Sequence, residues 1–530
     1  MSNGFRVCNR RSSSGRTAAE RTGAVGVGAA VMAALLLLAG CAVGPDFLSP
    51  PAPAVTGYLP GKQASAAASD GAAQKFLKGR DIPGEWWKLF HSRQLDKLIA
   101  EALVGNPSLQ AAQATLWQAQ ENLYAQAGTQ LPTVDAKPSV SRQQFSPAQF
   151  GGAGSPSIFN LFQASVNVAY TPDVFGGKWR QIEATQAQAD YQRFELEATY
   201  LTLTSNLATA VIQAASLQGQ IDVTGDIMKA ESGQLDVMRK QFDLGGIAKT
   251  DVLAQEAELA QTQALLPPLQ KQLSQQRHLI MALSGRFPSE DRAGAFRLSA
   301  LQLPTKLPVS LPSKLVAQRP DVRAAEAQLH QASAQIGVAV ANRLPQFTLT
   351  GSWGSSALTA ASLFSPSTIV WNLAAGATQP IFHGGTLLHQ QRAAEAAYDA
   401  AVGQYKSTVL TAFQNVADSL RALQSDADSV KAQDAAVHAA SDSLDLSREQ
   451  YRLGAITYVN LLTAQRTYQQ ARLNLVQAQA ARFADTVALF QALGGGWWNR
   501  LDVKPDPLSP EAPQVEAAVA TVSPARPSRR

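Results

Sequence analysis

The chain has 530 residues, 45% of them hydrophobic and only 16% charged, with a formal net charge of +5. Gln, Ser, Thr and Asn must therefore make the polar surface, and the scattered Lys and Arg give no basic stripe, so nucleic acid is not an expected partner. The six histidines show no paired metal spacing on a helix and no partner cysteine, and no nucleophile, acid–base pair or phosphate-cradling loop is apparent. Neither an enzyme nor a cofactor is expected.

Residues 1–40 have the layout of a signal peptide: Arg6, Arg10, Arg11, Arg16 and Arg21 precede an apolar core from Ala24 to Ala39. Arg10-Arg11 is followed by three serines rather than an apolar residue, which argues against a twin-arginine signal. The segment ends in Leu38-Ala39-Gly40-Cys41, which resembles the lipobox of bacterial lipoproteins, where cleavage precedes the cysteine and its sulfur is acylated. With Cys8 removed in the leader, Cys41 is the one cysteine of the mature chain, and no internal disulfide can form. By the same resemblance, Ala42 in place of an aspartate favours the outer membrane.

No other stretch reaches about 18 consecutive apolar residues, so a membrane passage would have to use strands. The Pro-, Ala-, Gly- and Ser-rich run from Cys41 to about Asp81 reads as an extended tether, and Glu85 to Ile99 begins the folded body.

Beyond it the chain is duplicated. Asn106-Pro107 matches Arg319-Pro320, Leu131-Pro132 matches Leu344-Pro345, and Phe175 matches Phe382, all at an offset of about 210 residues. Each copy predicts a helix from Pro107 to about Ala127, or Pro320 to about Ala341, then two strands, then a very long helix from about Lys178 to Asp243, or Thr386 to Arg452. Roughly 66 residues of helix span about 100 Å, too long for a compact domain. A tight turn and a returning helix complete each copy, from about Thr250 to Leu283 and from Val459 to Leu493.

The turn sequences are near copies, Gln241 to Gln255 and Gln450 to Ala464. Gly245 and Gly454 suit the left-handed C-terminal position, and Thr250, Asp251 and Asn460 are expected to cap the returning helices. Pro267-Pro268 is expected to kink the first returning helix.

The strand segments alternate: Val134, Ala136, Pro138 and Val140; Phe162, Ala164, Val166, Val168 and Tyr170; Phe347, Leu349, Gly351 and Trp353; Ile369, Trp371, Leu373 and Ala375. An ordinary half-buried sheet shows the same pattern, but so does a membrane barrel with a wet lumen. Four strands cannot close a barrel alone, and open edges are excluded from lipid, so a membrane reading requires several chains.

The ordered motifs Cys41-Ala42-Val43-Gly44-Pro45-Asp46-Phe47, Trp86-Trp87, Asn106-Pro107, Asp173-Val174-Phe175-Gly176-Gly177, Pro380-Ile381-Phe382-His383-Gly384-Gly385, Ala412-Phe413-Gln414-Asn415-Val416-Ala417-Asp418 and Ala492-Leu493-Gly494-Gly495-Gly496-Trp497 resemble the outer membrane factor family, TolC-like and OprM-like. The resemblance implies an α+β membrane protein: a homotrimer whose twelve strands, four per chain, form one outer-membrane barrel continuous with a periplasmic helical barrel. It implies the exit duct of a tripartite efflux system, with a periplasmic adaptor and an inner-membrane pump of the resistance-nodulation-division type, and acylated Cys41 in outer-membrane lipid. A type I protein secretion duct is the alternative; a coiled-coil surface protein without a channel is a third reading.

The expected organisation is a leader at 1–40, a tether and equatorial segment at 41–105, the first repeat at 106–285, an equatorial linker at 286–318, the second repeat at 319–495 and an equatorial segment with tail at 496–530. By the same resemblance, aspartates near the tip form the periplasmic aperture, which carries over to Asp442 and Asp445, with Asp236 and Arg448; ordinary solvated helix charges are the alternative. Gly245, Gly246, Gly454 and Ala455 mark the helix tips expected to dock the adaptor.

Overall fold

A computed structural model describes residues 42–60, 66–67, 74–147, 151, 153–291 and 294–500. Cys41, the leader and the C-terminal tail lie outside the described residues. The chain divides into a sheet unit (Met1–Leu48, Ala119–Gln188, Gln328–Ala401) and a helical unit (Ser49–Gln118, Ala189–Ala327, Val402–Arg530).

Strands β1 (Ala66–Ala67) and β2 (Gln74–Lys78) precede helices α1 (Arg93–Gly105) and α2 (Pro107–Gly128). Strands β3 (Thr133–Phe145) and β4 (Ser157–Tyr170) lead into α3 (Gly177–Asp243), and α4 (Lys249–Leu283) returns. After β5 (Lys306–Val309) and α5 (Pro312–Gln318), the pattern recurs as α6 (Pro320–Ala341), β6 (Gln346–Ala357), β7 (Ile369–Thr378), α7 (Thr386–Arg452) and α8 (Tyr458–Ala492). Paired helices have equal lengths: 22 residues in α2 and α6, 67 in α3 and α7, 35 in α4 and α8. The internal repeat is thus one of structure as well as sequence.

In the sheet unit the order is β3-β4-β6-β7, antiparallel throughout. The register aligns Ala136, Val166, Trp353 and Trp371 in one row and Val134, Val168, Gly351 and Leu373 in the next. Because side chains alternate with period two, these rows lie on one face, and Asp135, Asn167, Ser352 and Asn372 lie on the other. Phe162 is preceded by five further strand residues, so β4 starts earlier than its alternation indicates.

In the helical unit, Trp86, Trp87 and Phe90 form a single turn packed on Phe483 and Phe490 of α8 and Tyr200 of α3. Their rings lie 5.5–6.4 Å apart, and this aromatic core anchors the chain ahead of the first repeat. Gln74–Lys78, within the stretch expected to be an extended tether, is a strand instead: β2 runs parallel to β5 in a three-stranded sheet of order β1-β2-β5. Its buried Gln74 bridges Thr486 and Arg482 of α8, a pairing with remote residues that composition cannot reveal.

The expected caps are corrected. The N-caps of the returning helices are Ala248 and Thr457, neither with a side-chain cap bond, while Thr250, Asp251 and Asn460 stand inside the first turn. Asp251 there still favours the positive end of the helix dipole. Pro267 and Pro268 stand inside α4, which continues past them to Leu283.

Candidate functional site: sheet face, N-terminal strap and hairpin tips

Among the described residues nothing covers the apolar sheet face. Trp371 is 74% exposed, Leu373 79%, Val134 66% and Trp353 62%. A soluble sheet would bury such a face, since contiguous apolar patches of this kind mark contact with a partner or with lipid. Among the described residues β3 and β7 each pair on one side only, which leaves two long edges of unsatisfied backbone.

Residues just after Cys41 are pinned within the sheet unit. The Val43 amide donates to Phe175 O at 3.1 Å. Arg180, 4% exposed, donates to Val43 O at 3.1 Å and Asp46 Oδ1 at 2.6 Å and pairs with Glu183 at 2.7 Å. Glu183 also meets His330 Nε2 at 2.9 Å, and Phe47 stacks on that imidazole with ring centroids 4.3 Å apart. Gly44 crosses Gly337 so closely that a Cβ would stand 2.4 Å from the Gly337 Cα. Any larger residue at Gly44 would displace this strap.

The helical unit carries both tips. The Gly245 amide donates to Phe242 O and the Gly246 amide to Gln241 O, both at 2.8 Å; the Gly454 amide donates to Tyr451 O at 2.9 Å and the Ala455 amide to Gln450 O at 2.8 Å. With φ of 76° and 72° at Gly245 and Gly454, both helices end in Schellman motifs, which explains the repeated Leu-Gly pair. Above the turns, Leu235 and Met238 of α3 and Val252 of α4 pack with Leu444 of α7 and Tyr458, Leu461 and Leu462 of α8. Each such side chain contributes about 1.5–3 kcal/mol on full burial, so the two hairpins hold each other.

Asp445 pairs with Arg448 at 3.0 Å, with side chains 68% and 50% exposed; Asp442 and Asp236 are exposed on α7 and α3. The structure brings Asp445 and Arg448 together, while Arg239, the counterpart of Arg448, pairs with Glu256 at 2.8 Å.

A buried polar network beside the tips is not evident in the sequence. Glu258, with its side chain 4% exposed, receives Arg466 Nε at 2.8 Å; Tyr458 donates to Gln255, and Gln255 in turn donates to Glu231 O at 3.0 Å. These residues read as ordinary solvated helix polarity, and only their recurrence at the apolar helix spacing could have marked them as inward.

A profile of the outer membrane efflux protein family matches residues 98–286 and 311–495. The chain belongs to this family. It is 30% identical over 430 residues to the pyoverdine export outer membrane protein OpmQ of Pseudomonas putida, covering 79% of this chain and 90% of that protein. It is 28% identical over 487 residues to the probable efflux pump outer membrane protein TtgC of Pseudomonas putida, covering 90% and 97%. The solved outer-membrane channel OprN superposes with a TM-score of 0.78 at 27% identity, covering 86% of this chain and all of that one. The protein is therefore an outer membrane efflux channel that extends into the periplasm, with the α+β fold of trimeric outer membrane channels. Efflux, rather than protein secretion, is the activity its relatives carry.

Proposed function

We propose that three copies close one twelve-stranded barrel, β3 of one copy pairing with β7 of the next. The duct passes small molecules delivered by an inner-membrane pump of the resistance-nodulation-division type through a periplasmic adaptor. The observation that carries this reading is the sheet itself: an uncovered apolar face flanked by two free edges meets both requirements of lipid only when the edges pair in a closed ring. Each copy adds four strands, so three copies give the smallest closed ring that exceeds the eight-stranded minimum with room for a lumen.

Acylated Cys41 anchors each copy in outer-membrane lipid; the strap held by Arg180 supports this, because it fixes the residues that follow the anchor to the sheet unit. The Gly245-Gly246 and Gly454-Ala455 turns form the adaptor-docking tips, of two kinds because Ala248-Lys249-Thr250 in one is Thr457-Tyr458-Val459 in the other. Asp442, Asp445, Asp236 and Arg448 line the aperture, where rings of like charge set ion selectivity. Two repeats, flanking equatorial segments and a removed leader remain the proposed organisation, with the boundaries given above.

Deletion with drug-susceptibility measurement, and purification with the tips intact or replaced by Gly-Ser turns, tests this reading. Sensitisation and co-purification of an adaptor with the intact tips alone are expected. Unchanged susceptibility together with equal adaptor capture by both forms contradicts it.

A further inference from the structure

A small cavity of about 90 Å³ lies between α3, α7 and α8 beside the tip cluster. Glu231, Gln465, Tyr468, Gln469, Arg448 and Arg472 line it. Two acceptors on its wall have no partner among the described residues: Glu231 Oε2, in a residue 3% exposed, and Gln465 Oε1, in a residue 8% exposed. The other carboxyl oxygen, Oε1, receives Thr262 of α4 at 3.2 Å and Gln469 of α8. A buried acceptor without a donor is destabilising, and a second adds to the penalty. Two orphan acceptors on one cavity wall call for a shared donor.

The neighbouring cations do not supply it. Arg472 is engaged by Asp226 at 3.4 Å, Arg448 by Asp445 at 3.0 Å and Arg466 by Glu258. We propose that Glu231 stands in this cavity as the neutral acid, its Oε2 proton donated to Gln465 Oε1 directly or through one water, and that this proton latches α3 and α4 to α8 beside the periplasmic tips. The cavity has room for such a water, which needs about 10–15 Å³ on the same measure.

The electrostatics act in the same direction. Burial pushes the Glu231 carboxyl above the ordinary carboxylate range and Glu258 adds to this, while the bonds from Thr262 and Gln469 and the Arg466 guanidinium oppose it. A carboxyl raised in the folded state binds its proton more tightly there than in the unfolded chain. The stabilisation is complete below the ordinary carboxylate value and is lost as pH rises through the folded one. As pH rises through the folded value the proton is released to solvent and the seam loosens.

Amide hydrogen exchange on the full-length protein in detergent, corrected for intrinsic rates, tests the latch without needing a pore, so its failure is distinguishable from failure of the channel reading. Protection of α3 around Glu231 and α8 around Gln469 is expected to fall by up to about tenfold per pH unit between the ordinary carboxylate value and the raised folded one, and to level off above it. Glu231→Gln, which keeps a donor at that position, should abolish the slope; a wild-type slope in E231Q, or no slope in the wild type, overturns the proposal. Gln465→Leu removes the acceptor and should shift the fall to lower pH, whereas an unmoved fall overturns the assigned acceptor. If E231Q does not assemble, infrared titration of the wild type decides: a protonated-carboxyl band must disappear over the same pH range as the protection.

Discussion

The four-stranded sheet and the hairpin tips invert each other's polarity. In the sheet, Trp353, Trp371 and Leu373 point away from any cover the chain provides; at the tips, Glu231, Gln255 and Glu258 are buried among helices. Each arrangement would be costly in the other's surroundings. An apolar face is stable against lipid, and a buried carboxyl is stable only with donors and cations beside it. One chain thus carries surfaces written for two solvents, and alternation with period two marks the first far more legibly than helical periodicity marks the second.

Substitutions that exchange these polarities should give the largest effects. Leu373→Arg introduces three arginines per assembled barrel, each costing about 2–4 kcal/mol near the bilayer midplane. Heat-modifiable trimer bands from outer membranes should disappear, while Ser352→Arg, on the opposite face, should leave them intact. At the tips, Met238→Ala removes a side chain with 0% exposure and should cost about 2–5 kcal/mol per chain in thermal unfolding, without preventing barrel assembly. Gly245→Ala meets no steric obstruction, so its cost is the left-handed backbone alone, about 1–2 kcal/mol, again read by thermal unfolding.

A smaller effect comes from Asp426 of α7, which burial, followed by a hydrogen bond with Asp485 of α8, raises to about 7. The sign follows from the raised value: this contribution is complete below the ordinary carboxylate range and fades as pH rises through about 7. The wild type should lose thermal stability from about pH 4 to about pH 7 relative to Asp426→Asn and change little above that; parallel curves for the two would separate this pair from the pH response.

The repeat, the four strands and the long helices were legible because each rests on local pattern. The expected bounds Thr386–Arg452 match α7, which a glycine stop at Gly454 follows, and the alternation of Ile369, Trp371, Leu373 and Ala375 marks β7. Strand β2 escaped notice because five residues paired with remote Lys306–Val309 leave no local signature. The caps were misplaced by a few residues because Ala248 and Thr457 take extended backbone without a side-chain bond, so polar residues nearby drew the assignment inward. Pro267-Pro268 sits in the interior of α4, where α4 continues as one helix. The Arg180 clamp and the Glu231 cavity join residues more than a hundred positions apart, which no single-chain periodicity encodes.

The central claim is ring closure by three copies, and cysteine cross-linking of the two free edges tests it most directly. Pairs placed on β3 and β7, in a chain whose own cysteines are Cys8 and Cys41, should oxidise between copies into a ladder that stops at three. A covalent link within one chain, or a ladder that continues past three, would contradict the account.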